Sequence, residues 1–442
     1  MANTQLTKSV QKNAGNDAIT KMTYSVWIKR SALGEADIFA AHQLSSYYTD
    51  FYFDSNDRLN LYSYINSSEA AWVQTNRRFR DTNAWYHLVF AVDTTQGTAA
   101  NRVKFYVNGT QETSMNSTVY PSQNSAFGQF SDTGATLYIG NNPNRTAFSG
   151  SMSHIHYTPY TTYDASPFGS TDATTGEWKI NTSPSLTYST AGFFILKNGN
   201  SVTDQSPNTN NFTVAAGTLT KTEDCPSNIF NTNNPLIVQS ANGNHGYGNT
   251  NWSTGAASWR MTIGTVGATS GKYYAESQYY GSGSGVHWMS GIVSLDQNMT
   301  HSNQYPGGDS GKLGVGYNWD GQQYVNGSNS NYGASMANND IIGIAMDLDN
   351  RKIYFSKNGT WQNSGVPTSG STGTGAINIP SSTDAYTFAF SAHNSSMNCN
   401  FGNGYFGGTA VSSAGTNASE IGIFEYDVPT GYTALSTKGL NE

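Results

Sequence analysis

The stretch DIIGIAMDLDNRKIYFSKNGTW, residues 340–361, decides the fold class. Ile342, Ile344, Met346 and Leu348 fall on one face of an extended chain, and Ile341, Gly343, Ala345 and Asp347 fall on the other. That period of two defines a strand and excludes a helix. Asp347, Asp349 and Asn350 supply side chains that bond to their own backbone in a tight turn. Ile353 and Phe355 then alternate with Lys352, Tyr354 and Ser356, which predicts a returning antiparallel strand. Asn358-Gly359 marks a second reversal, because a type I′ turn needs positive φ at both central residues and this pair tolerates it best.

Residues 85–93 (WYHLVFAVD) and 102–110 (RVKFYVNGT) repeat the plan: an apolar strand ending in Asp, a polar turn, an alternating strand, then Asn-Gly. Sandwich domains typically take ~100 to 200 residues each. Two such hairpins in a chain of 442 residues therefore predict two β-sandwiches.

Composition narrows the function classes. Charged residues make up 12% of the chain, about half the usual share, so Ser, Thr, Asn and Gly must carry solubility. An aromatic content of 13% argues against disorder, which needs few aromatics and high charge. The net charge of -7 gives no field for phosphate, so nucleic acid is not expected. Arg77, Arg78 and Arg80 form the single basic cluster and read as a solvated strand end or loop. Cys225 and Cys399 exclude a disulfide framework and are expected to be free and buried. The start, MANTQLTKSV, lacks the apolar region of a secretory leader, and no apolar run reaches the ~18 residues of a membrane helix. The expectation is a soluble chain without membrane insertion.

Along the chain, residues 1–20 are polar and aperiodic and read as an arm. Residues 22–29 (MTYSVWIK) open the first domain, with Tyr24, Val26 and Ile28 on one face and Ser25, Trp27 and Lys29 on the other. Short strands are expected at 37–41, 49–53, 58–64, 85–93, 102–108, 136–140 and 150–157. The ordered run SVWIKRS, FYFDSNDRLNLYS, WYHLVFAVDTTQ, RVKFYVNGT, LYIGNN and GSMSHIHY resembles the laminin G-like, concanavalin A-like lectin domains of tailed bacteriophage virion proteins. Residues 169–236, with GFFILKNGNSVTDQSPNTNNFTV and CPSNIFNTNNPL, are similar to the segment that follows this domain in such proteins. Gly192 to Leu196 (GFFIL) has bulky side chains to bury, so this connector is expected to be ordered and docked.

In the second half, strands are expected at 271–278, 291–295, 313–319, 340–361 and 386–390. Their order, and a late strand ending in Cys399-Asn-Phe-Gly402, resembles a SPRY domain, and FEYDVPTGYTALST is similar to the end of phage versions of it. The expectation is an all-β protein of two antiparallel β-sandwich (jelly-roll, concanavalin A-like) domains joined by an ordered connector. The boundaries are 1–20 for the arm, 21–168 for the lectin-like domain, 169–236 for the connector and 237–442 for the SPRY-like domain.

No catalytic residue is assigned. Gly308-Asp-Ser-Gly311 and His42 imitate protease motifs but fall in different predicted domains. His154 and His156 share a strand face without further metal ligands at a recognisable spacing, and read as the polar face of an edge strand. Gly281, Gly283 and Gly285 precede a strand instead of the helix that holds a pyrophosphate. The Glu-x-Asp-x-Glu run of sandwich glycosidases is missing, which weakens a polysaccharide depolymerase. Many Asn-x-Ser/Thr sequons, including those at Asn66, Asn108, Asn116, Asn211, Asn326, Asn358 and Asn394, are expected by chance in so Asn-, Ser- and Thr-rich a chain.

Recognition remains. Aromatic rings beside polar loops stack on sugars while Asn and Asp bond to hydroxyls. Tyr47, Tyr48 and Trp72 in the first half, and Trp288, Tyr305 and Trp319 in the second, are the candidate ligand-binding residues; a core role is the competing one for each. The resemblance to laminin G-like domains implies calcium as the one candidate cofactor, with Asp50, Asp54 and Asp57 as ligands. It further implies a non-enzymatic virion protein, a tail fibre, receptor-binding protein or head fibre, located at the tail or capsid surface. Its expected partners are other virion proteins, a host-surface glycan and copies of itself, a trimer favoured. Alternatives are a capsid or tail decoration protein, a depolymerase, and a cellular adaptor gripping peptides.

Overall fold

The computed structural model describes residues 4–13, 15, 17–197, 201–237, 243–281, 285–295, 304–308 and 313–441, and every count below is of these residues. The chain divides into two units, Met1–Lys221 and Thr222–Glu442, each built of antiparallel sheets.

The first unit holds β1 Gln5–Ser9, β2 Lys21–Arg30, β3 Ala36–Leu44, β4 Tyr47–Phe53, β5 Arg58–Ile65, β6 Ser68–Arg78, β7 Trp85–Asp93 and β8 Val103–Val107. After these come β9 Thr110–Glu112, β10 Met115–Val119, β11 Thr136–Ile139, β12 Gly150–Pro159, β13 Gly169–Thr171, β14 Trp178–Ile180, β15 Phe193–Ile195 and β16 Thr213–Ala216. Eight strands form one sheet in the order β10-β6-β5-β4-β3-β11-β1-β16, and six form the other in the order β15-β12-β2-β7-β8-β9. Their facing sides bury Tyr24, Val26, Ile28, Phe39, Phe51, Leu61, Phe90 and Phe105 in one core. The alternation in residues 22–29 set this face, and the Asn108-Gly109 reversal after β8 takes positive φ at both residues, 46° and 82°.

Two expectations need correcting. Residues 5–9 do not form an arm: they pair with β11 and β16 inside the larger sheet, with Leu6 buried. Much of the connector is not a separate piece either. β15 pairs with β12 and β16 with β1, so the chain to Lys221 completes the first unit, and residues from Thr222 belong to the second. The GFFIL strand buries Phe193, Phe194 and Ile195 as its bulk required. Polar composition concealed β1, because an edge-proximal strand needs few apolar side chains when backbone pairing supplies its contacts.

In the second unit, Ile341–Asp347 pairs with Lys352–Lys357, Ile344 opposite Phe355, and Asn358-Gly359 turns with φ of 49° and 79°. Lys272–Tyr280 and Ser395–Asn400 extend this sheet. A six-stranded sheet packs in the same unit, in the order Arg260–Ile263, Tyr386–His393, His287–Ser294, Gly314–Asn318, Gln322–Val325, Ser328–Asn331. Ile342, Ile344, Phe355, Phe388, Phe390 and Phe401 lie in its core. Both cysteines are free; Cys399 is buried and its thiol is pushed up to about 12 by that burial, whereas Cys225 is only half-buried.

The buried Glu276 carboxylate ties the C-terminal segment down. It accepts the backbone N–H groups of Glu425 and Tyr426 at 2.9 Å each, with Asn400 Nδ2 at 3.1 Å and the Tyr274 hydroxyl at 3.2 Å. No helix among the described residues is long and apolar enough to cross a membrane.

Candidate functional site

The two outer faces of the first unit differ in what lies on them. On the six-stranded sheet, Ser25, Trp27 and Lys29 of β2 should meet solvent by their alternation, yet β2 is buried almost throughout. Residues 162–190 cover this face. Phe168 and Ala165 pack on Val89, with Tyr106, Tyr163, Trp178 and Leu186 around them. Trp178 Nε1 donates to His87 Nδ1 at 3.1 Å, so the neutral ring carries its proton on Nε2 and donates to Ser25 Oγ at 2.9 Å. Protonating Nδ1 would break the tryptophan bond, and burial pushes His87 down to about 3. A Cβ on Gly109 would stand 2.4 Å from the Trp178 ring, so the glycine that makes the turn also admits the cover.

His154 and His156 belong to this covered side. β12 runs between β2 and β15, so it is not an edge strand. His156 is buried, bonds to the Tyr188 hydroxyl at 2.6 Å through Nδ1, and stacks on Phe194 at 3.9 Å. Burial holds its pKa well below the ordinary value.

The outer face of the eight-stranded sheet carries a row of half-exposed rings instead. Because Thr49, Phe51, Phe53, Leu59, Leu61 and Val73 point inward, Tyr48, Asp50, Tyr52, Asn60, Tyr62, Tyr64, Trp72 and Gln74 point outward. Register sets them side by side: Tyr48 is opposite Tyr64, Asp50 opposite Tyr62, and Tyr62 opposite Trp72. Ring centroids follow one another from Tyr138 to His42 at 5.7 Å, His42 to Tyr48 at 5.1 Å, Tyr48 to Tyr62 at 6.0 Å and Tyr62 to Trp72 at 6.3 Å. Trp72 stands at 84° to Tyr62, whereas Tyr62 and Tyr64 are nearly parallel at 14°.

An amide network flanks the rings. Trp72 Nε1 and Gln74 Nε2 both donate to Asn60 Oδ1, at 3.0 and 2.8 Å, and Asn116 Nδ2 donates to Gln74 Oε1. Burial pushes the phenols of Tyr48 and Tyr62 up, so both remain O–H donors at neutral pH.

Arg145 lies beside the middle of the row, its guanidinium 3.6 Å over the Tyr52 ring, with Asp50 at 3.0 Å and Glu35 at 3.4 Å. His42 holds the other Asp50 oxygen at 2.6 Å. Asp37, fully buried and bonded to Asn142 Nδ2 at 2.7 Å, is pushed well above the usual carboxylate range by burial and by Asp50.

The calcium candidates do not fit that ion. Asp50 is paired with Arg145 and hydrogen-bonded to His42. Asp57 pairs with Arg30 at 3.1 Å and Arg80 at 2.9 Å. Asp54 caps its own turn through Asn56 and Arg58 N–H groups and accepts from Gln74. With cations already on two of the three, the set lacks the uncompensated charge a hard cation needs, and no group of three or more such side chains that could hold a metal occurs among the described residues. Arg77 likewise pairs with Glu112 at 2.9 Å, so the basic cluster is partly tied in ion pairs.

Of the candidate binding residues, Tyr48 and Trp72 join the row. Tyr47 starts β4 with its hydroxyl bonded to Asn66 Oδ1 at 3.1 Å, outside the row. Trp288 is a core residue, 5% exposed and packed on Tyr279 at 5.3 Å, because the alternation that turns His287 outward turns it in. Trp319 stacks on His287 at 4.5 Å, and Tyr305 packs on Trp259 at 5.3 Å. Trp259 lies 6.1 Å from His287, which joins them in a second aromatic cluster. His42 of the protease-like pair is committed to Asp50, and Ser310 lies outside the described residues, as does Gly283. Tyr52, Tyr62, Tyr64 and Tyr138 were missed. The signal for the first three was the tyrosines in FYFDSNDRLNLYSY that alternate with Phe51, Phe53, Leu59 and Leu61, and for Tyr138 its place between Leu137 and Ile139.

Comparison with known proteins agrees with these sandwiches. Residues 4–161 match the Concanavalin A-like lectin/glucanases superfamily, and residues 272–404 match the SPRY domain. The chain is similar to the ATP-dependent RNA helicase DDX1 of Xenopus laevis, 32% identical over 102 residues, which span 23% of this chain and 12% of the helicase. Among solved structures it is similar to the SPRY domain of human HERC1, with 15% identity and a TM-score of 0.30 over 38% of this chain and 96% of that one. A heptameric SAP-like pentraxin from Limulus polyphemus gives 18% identity and 0.28 over 42% and 89%.

Proposed function

We propose, from the premise that this chain carries a laminin G-like, concanavalin A-like domain and a SPRY domain, that it is a non-enzymatic recognition protein of a bacteriophage particle. It would act as a tail fibre, receptor-binding protein or head fibre that touches host-surface glycans with the tyrosine face of its first unit. The phage setting rests on the likeness of the sequence segments quoted above. The single observation that carries recognition is that one outer face of the sandwich is covered while the other leaves Tyr48, Tyr62, Tyr64 and Trp72 half-exposed beside an amide network.

Such a face suits sugars in two ways. Phenol and amide groups exchange hydrogen bonds with hydroxyls, and ring carbons cover the apolar side of a pyranose. Asp50 on this face is paired with Arg145 and Asp37 is buried, which keeps this close pair of carboxylates from serving as acid and nucleophile and supports binding without hydrolysis. The test is a glycan array probed with the wild-type protein and with Tyr62→Ala and Trp72→Ala. Binding of defined glycans that both substitutions abolish is the expected result. A wild-type protein that binds no glycan, or variants that bind as well as it does, would sink the proposal. New reducing ends released from host envelope polysaccharide would overturn the non-enzymatic part.

One feature favours decoration of the particle instead. Parallel rings such as Tyr62 and Tyr64 lay their faces on each other and present edges and hydroxyls, which also suits a protein partner. Loss of virion stability without the protein, with no glycan bound, would support that reading. Repetition raises avidity, so the proposal includes a homo-oligomer, a trimer favoured; light scattering on the eluting species measures this, and a monomer contradicts it.

A further inference from the structure

The cover on the six-stranded sheet stops short of the β7–β8 hairpin and leaves a cavity there of about 190 Å³. That is room for about six waters, or for one small ring molecule. Its floor is Ala91, whose short side chain on β7 leaves the space open, and its wall is Tyr106, two residues along β8 from Lys104. Ala91 and Lys104 are register partners, so the lysine leaves the sheet directly beside the floor. Asn101 stands at its rim on the hairpin side and Asp164 on the cover side, both exposed.

The frame around it is rigid. Asp93 accepts from Thr95 N–H at 3.0 Å and from Gln96 Nε2 at 2.7 Å. Thr162 Oγ1 donates to Val92 O at 2.9 Å, and Tyr163 N–H to Thr23 Oγ1 at 2.8 Å. Asp164 Oδ1 is taken by Ser166. Asp164, Asn101, Lys104 and Tyr106 line the same space.

We propose that this cavity is a second ligand site, built for one neutral, hexose-sized polyol. A hydroxyl both donates and accepts, so vicinal hydroxyls are matched by acceptor and donor side chains set around one ring-sized space: Asp164 accepts, Lys104 donates, Asn101 does both. Tyr106 supplies the apolar wall that a sugar ring packs on. Asp93, which also lines the space, is paired with Lys21 at 3.4 Å, and the remaining carboxylate and ammonium, Asp164 and Lys104, balance each other, which selects against a ligand with net charge. The site stands on the opposite side of the sandwich from the tyrosine face, and either can fail without the other.

Saturation-transfer NMR of the full chain with glucose, galactose, mannose and N-acetylglucosamine tests it. Ala91→Leu fills the cavity from its floor, and Lys104→Met removes the donor while keeping the stem. In a Trp72→Ala background, which disables the tyrosine face, the expected result is saturation of at least one monosaccharide, weakened at least ~tenfold when Ala91→Leu or Lys104→Met is added. No saturation of any of the four by the wild type, or equal saturation by Ala91→Leu with an unchanged melting temperature, overturns the site. Saturation by the wild type that is absent in the Trp72→Ala background would place the sugar on the tyrosine face and overturn the site as well. Glycine serves as the zwitterionic control, and preferential binding of glycine over every sugar would overturn the ligand class.

Discussion

The outer faces of the two sheets in the first unit descend from similar alternating strands and meet opposite fates. On β2 and β7 the outward residues, Trp27, His87 and Val89, are large or apolar, and residues 162–190 close over them. On β4, β5 and β6 they are tyrosines, amides and paired charges, which keep hydrogen bonds with water when left open. A sheet face is therefore assigned to the core or to solvent by its second set of side chains, after the first has already chosen the inside. The cover makes the sandwich's polarity one-sided, and the open tyrosine face follows from that.

The contrast breaks first at the cover. Phe168, 2% exposed and in contact with His87 and His156, should cost about 3–5 kcal/mol when truncated in Phe168→Ala, measured by urea denaturation. An effect below about 1 kcal/mol would mean that residues 162–190 lie on the sheet without stabilising it.

Acid should attack the same face. His87 is held near 3 in the folded state against 6.5 in the unfolded chain, so between these values the unfolded state binds more protons. Stability is then complete above pH 6.5 and falls by about 1.4 kcal/mol per unit below it. Hydrogen exchange of residues 162–180 should rise as pH falls from 6.5 towards 4, after correction for intrinsic rates, and His87→Gln should flatten that dependence.

The second unit sharpens the comparison by carrying the opposite sign. Burial pushes Glu276 up to about 7 from 4.5, against the four donors that face it, so here the folded state binds more protons in that window. Its stability should be greatest below pH 4.5 and decline by roughly 3 kcal/mol as pH rises to 7. Protection of residues 424–427 reports this, and protection that increases with pH would contradict it.

The smallest effect is expected on the open face. Tyr62→Ala and Trp72→Ala should change stability by less than about 1.5 kcal/mol, since half-exposed rings lose less than core rings, while glycan binding falls at least ~tenfold. A large stability loss from either would show that the row is structural.

Much of the fold was legible. Every strand expected from alternation in residues 22–157 is present, because inward apolar side chains repeat with the pleat. The polar strands β1 and β16 were not, since backbone pairing with a neighbour far away in sequence leaves no local pattern. The site was half legible. Tyr48 and Trp72 were found as aromatics beside polar segments, but Trp288 satisfied the same rule and lies in the core. Asp50, Asp54 and Asp57 resembled cation ligands until Arg145, Arg30 and Arg80 arrived from elsewhere in the chain.

The amino-acid sequence by itself determined the all-β class, the two hairpins with their Asn-Gly turns, and which side of each strand faces inward, because these depend on neighbours one to four residues apart. Only the tertiary structure decided which outer face stays open, which tyrosines stand in one row, and which carboxylates are neutralised. Those outcomes depend on strand register and on residues 162–190 folding back across a sheet, and contacts between groups so far apart in the chain have no signature in any short stretch of it.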